Sequence, residues 1–419
     1  MLHVERVLGR RSIFLFHFMK ILPEHIYPIK KAFAEMQSMD DLLVILNIAK
    51  RILFGEKAIA FSIRQLNYYT LSKYKDSQYK QSFIPKKSGG KRTITAPVKN
   101  LKHLQACLNF VLQVLFEPHD AATGFVPGKS IVDNAKEHVG KWFVFNLDLK
   151  DFFPSIDQKR VWACLQLPPF DLNTNPERKQ LANRLAILCC APIEFIAEDG
   201  SKEKRNALPQ GAPTSPTITN IIAQKMDKRL QGVANRFHIT YTRYADDITY
   251  SANKDIFQKD GEVVQEIRRI ITGQNFVVNE NKVRLQQQGF KQEVTGLIVN
   301  KKVNVPRKYT RQLRQWLYLW ETYGHDKAYS FFLKDYLSDK GHLKKGLPSM
   351  ICVIGGKLDY LKMVKGKSDS VFLKLNERYK KLFNTNTDLL IDRIFDIWEK
   401  EGIDAAMKLY YNDEKIIGQ

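Results

Sequence analysis

The sequence predicts an α+β fold. Apolar residues recur at helical spacing through the first 65 residues, for example Leu42, Leu43, Ile45, Leu46, Ile48 and Ala49. Further in, short β-branched and aromatic runs are bounded by Gly, Pro and Asp, the signature of strands and hairpins. At 419 residues with 44% hydrophobic content, the chain can bury a large core and divide into two or three domains.

Charge narrows the partners. There are 66 Lys plus Arg against 44 Asp plus Glu, a formal net charge of +22. Such an excess points to a polyanion, with nucleic acid ahead of an anionic membrane surface. No run is long enough to span a bilayer, so no membrane partner is expected. The five cysteines, Cys107, Cys164, Cys189, Cys190 and Cys352, form no Cys-x-x-Cys pair and have apolar neighbours. They read as small buried hydrophobes in a reducing, cytoplasmic setting. Ile13–Met19 follows Arg10-Arg11 but lacks a small-residue cleavage site, and reads as helix core.

Taken in order, residues 1–65 form a helical extension. Tyr79–Pro97 reads as strand, Gly-Gly turn and strand, with Lys86, Lys87, Lys91 and Arg92 about the turn. Such a hairpin is either a solvated basic loop or a flap that grips phosphate oxygens. A helix follows from about Asn100 to Phe116. Gly124–Ser130 is a loop, and the next helix carries Asn134 and His138 four residues apart, on one face. The pair fits a local hydrogen bond or an RNA contact. Trp142–Ile156 begins as an apolar strand that delivers Asp148 at its end, then Asp151 and Phe153. A carboxylate closing a buried strand is costly unless paired or liganded. Leu208–Pro216 is a Gly/Pro loop with Thr214 or Ser215 as helix cap and Pro216 at the first helical position.

Ile239–Ser251 reads as two short strands with Ala245-Asp246-Asp247 at the tip. Adjacent carboxylates there form a solvated polar turn or bind a divalent cation. Residues 260–272 read as a helix and Val294–Val299 as a strand. From Lys301 to Lys381 there are 19 basic and 7 acidic residues with interleaved aromatics, which suits a helical nucleic-acid grip. From Leu382 to Gln419 the balance reverses to 4 basic and 8 acidic residues, and Leu389, Leu390, Ile394, Phe395 and Trp398 pattern an amphipathic helix.

If the strand ending at Asp148 lies beside the hairpin, Asp148, Asp246 and Asp247 converge. Such a cluster suits two Mg²⁺ ions about 4 Å apart, the arrangement for in-line phosphoryl transfer. Lys91 and Arg92 would then meet triphosphate charge, and the Phe153 ring would press on the sugar and exclude a 2′-hydroxyl.

Asn146–Ser155, Leu208–Pro216 and Tyr244-Ala-Asp-Asp247 resemble, in order and spacing, the successive motifs of reverse transcriptases. Asn134-Ala-Lys-Glu-His138 and Val294-Thr-Gly296 resemble the two signatures of the retron branch. The resemblance spans roughly residues 75–380. It implies a right-hand polymerase with fingers and palm over 66–305, a basic thumb over 306–381 and an acidic tail over 382–419. It implies Mg²⁺ at Asp148, Asp246 and Asp247, with Ala245 making room for the primer end. Nucleotide contacts would fall at Lys91, Arg92, Asp151, Phe152, Phe153, Gln210 and Gly211, and Lys282 would assist pyrophosphate release. RNA recognition would involve Asn134, His138, Val294, Thr295, Gly296, Lys357, Lys362, Lys365 and Lys367.

The family's retron enzymes prime on an RNA 2′-hydroxyl, copy their own structured non-coding RNA from dNTPs, and leave branched multicopy single-stranded DNA. No ribonuclease H carboxylate set is present, so a host ribonuclease H would remove template. The tail is a candidate dock for an anti-phage defence effector. The competing readings are an intron- or CRISPR-associated reverse transcriptase, and a non-catalytic RNA-binding module on the same scaffold.

Overall fold

The structure is a computed structural model that describes residues 22–85, 90–196, 201–340 and 346–384. Ile13–Met19, Lys86, Lys87 and the amphipathic pattern after residue 388 lie outside the described residues. Helices and antiparallel sheets give the expected α+β class. The chain divides into two compact units, one ending at Thr295 and the other beginning at Gly296, ahead of the expected boundary at 305.

The first unit opens with α1 (Pro23–Glu35) and α2 (Met39–Phe54). Ser38 and Asp41 form a reciprocal capping box that starts α2, satisfying amide donors the helix cannot. These helices belong to the same core as the sheet, with Ile29, Phe33, Leu42 and Leu46 fully buried. Arg178 fixes the turn between them: its Nη1 donates to the carbonyls of Ala34 at 2.6 Å and Met36 at 3.0 Å. The described part of the 1–65 segment thus shares its core with the sheet.

The basic hairpin pairs β1 (Tyr79–Pro85) with β2 (Lys91–Pro97) in antiparallel register, Ile84 opposite Arg92. α3 (Lys99–Leu115) follows, its apolar face carried by Leu101, Leu104, Leu108 and Val111. The central sheet contains β3 (Phe143–Asp148), β4 (Thr240–Tyr244), β5 (Asp247–Ala252) and β6 (Arg284–Gln287). Its order is β4-β5-β3-β6, with every neighbour antiparallel. β3 is an interior strand and all but its first residue are buried, which accounts for Val144, Phe145 and Leu147 on its two faces.

Helices α4 (Gln158–Leu165) and α5 (Pro176–Cys189) pack together beside this sheet. The long α6 (Ser215–Phe237) packs on β4, and Pro216 is its second residue, one place after the first helical position expected for it. Thr214 occupies the cap position but makes no side-chain cap bond. Ser215 instead donates its hydroxyl to the Pro209 carbonyl at 2.8 Å. α7 (Glu262–Thr272) matches the expected helix. The expected strand over Val294–Val299 is broken, because Thr295 and Gly296 both take positive φ, 47° and 82°.

In the second unit, α8 (Arg307–Lys340) is interrupted at Gly324, and α9 (Met350–Lys365) is capped by Ser349. Its core holds Leu313, Trp316, Leu317, Phe332, Leu358 and Leu361. Trp316 and Trp320 are core, whereas Tyr318 and Tyr323 are exposed. The five cysteines are free thiols, three of them buried. Among the described residues no helix is long and apolar enough to cross a membrane.

Candidate active site

The register of the central sheet assembles the site. Asp148 is paired directly opposite Asp247 across β3 and β5. Opposed residues in an antiparallel pair have Cα atoms roughly 4.5–5.5 Å apart. Asp246 sits in the two-residue turn between β4 and β5, and its carbonyl accepts from the Leu149 amide at 3.0 Å. Residues 98 and 99 positions apart in sequence therefore share one sheet end.

The turn itself is held from beneath. Ala245 takes the left-handed region at φ 57°, a strained position for a residue with a Cβ. Arg243, fully buried in β4, donates Nη1 to the Ala245 carbonyl at 3.0 Å. Its remaining donors meet Asp227 on α6 at 2.7 and 2.6 Å and Asn220 at 3.2 Å. A buried charge needs a charged partner of this kind. From the side, Gly124 approaches so closely that a Cβ would lie 2.4 Å from the Ala245 amide nitrogen. The Gly124 carbonyl is held by the Asn220 side chain at 2.9 Å.

Two of the three carboxylates, Asp246 and Asp247, are held back from ionising. Burial, then the nearby Asp148, raises Asp246 above the ordinary carboxylate range. Asp247 keeps solvent access, yet the protein atoms crowding its carboxylate, with Asp246 and Asp148, push it up to about 6. Hard oxygen donors of this kind suit a divalent cation such as Mg²⁺. They do not form a preassembled cage: no group of three such ligands is spaced for a metal among the described residues. Asp148 turns one oxygen to the Asn279 amide at 3.0 Å and the other to Lys282 Nζ at 2.6 Å. The donor chemistry therefore fits Mg²⁺, while Lys282 stands as the counter-charge of Asp148.

The other expected nucleotide contacts separate into two groups. Lys91 and Arg92 are exposed at the start of β2, and the Arg92 charge is felt at Asp246. The Gln210 carbonyl accepts from the Thr95 amide at 2.9 Å, tying the Leu208–Pro216 loop to the hairpin. Gly211 has φ 132°, and a Cβ there would meet Ile94 and the Thr95 carbonyl. Phe153 is half-buried with the Phe125 ring 6.0 Å away, and both line a cavity of about 310 Å³ with Gly211 and Ala212. Asp151 is exposed with φ 47° and takes the turn after β3. The Phe152 side chain is 3% exposed and packs on Phe276 in the core.

The expected RNA contacts are mostly buried or already engaged. Asn134 and His138 are fully buried. Asn134 Oδ1 accepts from Thr123 at 2.8 Å, and both His138 ring nitrogens lie 2.7 Å from hydroxyls of Ser251 and Thr242. Burial lowers the His138 pKa to about 3, so the ring is neutral. These side chains tie the Ile131–Lys136 helix and the turn after it to Thr123 and the central sheet. Val294 is likewise buried, and Thr295 donates to the Ile131 carbonyl at 3.3 Å. In the second unit, Lys357 is engaged by Gln312 at 2.7 Å and by the Tyr309 and Trp316 rings, and Lys365 by Asp369 at 3.1 Å. Lys362 is partly exposed and Lys367 exposed.

Arg243, Asp227, Gly124 and Asn279 are the site residues that motif reasoning missed. An arginine inside a strand of otherwise buried residues was the available signal, since it demands a buried carboxylate.

A four-stranded antiparallel sheet presenting three carboxylates at one end, with a basic hairpin and a half-buried aromatic beside them, defines a right-hand polymerase of the reverse transcriptase type. Residues 84–303 match the family model described as reverse transcriptase (RNA-dependent DNA polymerase), and the chain belongs to that family. Within it the chain is of the retron type. It is 36% identical over 278 residues to the retron Mx162 reverse transcriptase of Myxococcus xanthus, covering 62% of this chain and 56% of that protein. It is 34% identical over 276 residues to the retron Mx65 reverse transcriptase of the same organism, covering 62% and 61%. To the retron Ec86 reverse transcriptase of Escherichia coli it is 32% identical over 245 residues, covering 57% and 69%. The matches thus span under two thirds of the two Myxococcus relatives' length.

Proposed function

We propose that this protein is an RNA-directed DNA polymerase that copies a cognate structured non-coding RNA into branched multicopy single-stranded DNA. The observation that carries the reading is the cross-strand pairing of Asp148 with Asp247 beside Asp246. Bound Mg²⁺ would supply Lewis-acid polarisation of the attacking hydroxyl and the leaving pyrophosphate. The protein's own residues do the rest. Asp148, Asp246 and Asp247 furnish the oxygen ligands. Lys91 and Arg92 meet the triphosphate of the incoming dNTP, and the Arg92 charge is already felt at Asp246. Phe153 stands where a sugar 2′-hydroxyl would enter and favours deoxynucleotides. The cavity it shares with Gly211, Ala212 and Phe125 gives a templating base a dry wall. Lys282 is placed to follow negative charge as it leaves Asp148 for pyrophosphate. Lys362 and Lys367 present charge to RNA. Priming from an RNA 2′-hydroxyl, a cytoplasmic location, a host ribonuclease H and a defence effector as partners complete the proposal.

The test is dNTP incorporation on an RNA template with Mg²⁺, together with sequencing of nucleic acid that co-purifies. Asp246→Asn with Asp247→Asn is expected to reduce incorporation by at least about 10³-fold, on the scale of lost electrostatic stabilisation in catalysis, while RNA affinity changes little. Retained synthesis would remove the metal assignment. Co-purified RNA without a branched DNA strand would remove the retron product.

A further inference from the structure

Away from the carboxylates, α4 and α5 leave a groove of about 380 Å³ between their outer faces. From α4 it is lined by Gln158, Lys159 and Trp162, and from α5 by Lys179, Gln180 and Asn183. It shares no lining residue with the cavity beside Phe153. The helical spacing explains the arrangement: positions three and four apart lie on one face. Three properties distinguish this groove from an ordinary polar surface. Trp162 is 38% exposed, unusual for so large an apolar side chain. The groove lining holds two lysines and no acid. The Oε1 of Gln158 is buried and has no hydrogen-bond partner among the described residues.

We propose that this groove is a second binding site, for one nucleotide of a single-stranded nucleic acid. An indole face accepts any base by stacking. Lys159 and Lys179, one from each helix, line the same groove as the ring and suit the phosphates on either side of a stacked base. Gln158 supplies an acceptor that an exocyclic amino group would satisfy, and Gln180 and Asn183 add amide donors and acceptors for a base edge. The volume lies at the small end of ligand sites, roughly 300–1,000 Å³, and accommodates one nucleoside. An acidic peptide would use the lysines but leave the indole face and the amides without matching chemistry. The site would hold a strand entering or leaving the polymerase at a distance from the reacting atoms.

The full chain is first saturated with an RNA–DNA template–primer duplex, so that the polymerase cleft is occupied. A fluorescent single-stranded octamer is then titrated and followed by anisotropy, as RNA in one arm and DNA in the other. A second saturable binding event is expected, and the tighter arm identifies the strand. Trp162→Ala should weaken it by about tenfold, the scale of one stacked base, while Trp162→Phe should stay within about threefold. Lys159→Gln with Lys179→Gln should flatten the salt slope by about 1.4, two single-strand phosphate contacts. Primer extension and thermal unfolding of Trp162→Ala should match the parent protein, which separates a failure here from a failure of the polymerase reading. Absence of a second event in both arms, or equal octamer affinity for Trp162→Ala, would overturn the site.

Discussion

His138 acts through packing. Its imidazole is buried, neutral and fixed by two hydroxyls, with Lys141 the nearby charge that adds to the effect of burial. Its folded pKa of about 3 lies below the value near 6.5 expected once the chain unfolds. The unfolded state therefore binds the extra proton between those values, so stability is complete above about pH 6.5 and falls as pH drops toward 3. The loss approaches about 1.4 kcal/mol per pH unit inside that window. His138→Gln should be less stable at pH 7, and the gap to the parent should narrow on acidification. Denaturant unfolding at several pH values checks this, and a constant gap would contradict it. Gly124 is the second residue-scale case. Its missing Cβ would meet backbone atoms of Tyr244 and Ala245 at 2.9 and 2.4 Å, which cannot swing aside. Gly124→Ala should cost about 1–3 kcal/mol, as overpacking does, and should displace the Ala245–Asp246 turn. Incorporation assayed below the melting temperature should fall far more than that stability loss explains.

At the scale of elements, what was legible followed from local pattern. The β-branched and aromatic runs around Ala245-Asp246-Asp247 and the apolar run ending at Asp148 marked both strands, and the convergence of their carboxylates then hung on the two lying side by side, as they do. Tertiary partners were not legible. Asp227 lies on α6, sixteen residues before Arg243, and nothing in its own neighbourhood marks it as the partner of a buried arginine. Asn134 and His138 share a helix face, but spacing cannot tell a face turned to RNA from one turned to the sheet. The break in α8 was equally hidden, since a lone glycine is compatible with a continuous helix. Gly324 takes φ 75° and ψ 173°, a region that essentially only glycine enters. Gly324→Ala should therefore destabilise the protein by about 1–3 kcal/mol, although a Cβ there has open space around it. Alanine is the better helix former, so a stabilised variant in denaturant unfolding would mean the helix runs straight through.

For the whole molecule, the question is where the +22 charge does its binding. Residues 301–381 carry +12 of it over 81 positions, while residues 1–300 carry +14 over nearly four times that length. Density alone would assign RNA contact to every lysine of that segment. The structure divides them. Lys357 is satisfied by Gln312 and two aromatic rings, and Lys365 by Asp369, with the Lys365 side chain only 8% exposed. A lysine already neutralised inside the fold releases few counterions when RNA binds, whereas an exposed one adds about 0.7 to the slope of log affinity against log salt for a single strand. Lys362→Gln with Lys367→Gln is thus expected to flatten that slope by about 1.4 without changing stability. Lys365→Gln should leave the slope unchanged and lower stability, since Asp369 loses its ion-pair partner. Binding isotherms from about 50 to 200 mM salt, with unfolding curves on the same variants, separate the two classes. Equal slope changes for Lys365 and Lys367 would mean that total charge, rather than which side chains are free to meet a phosphate, governs the grip.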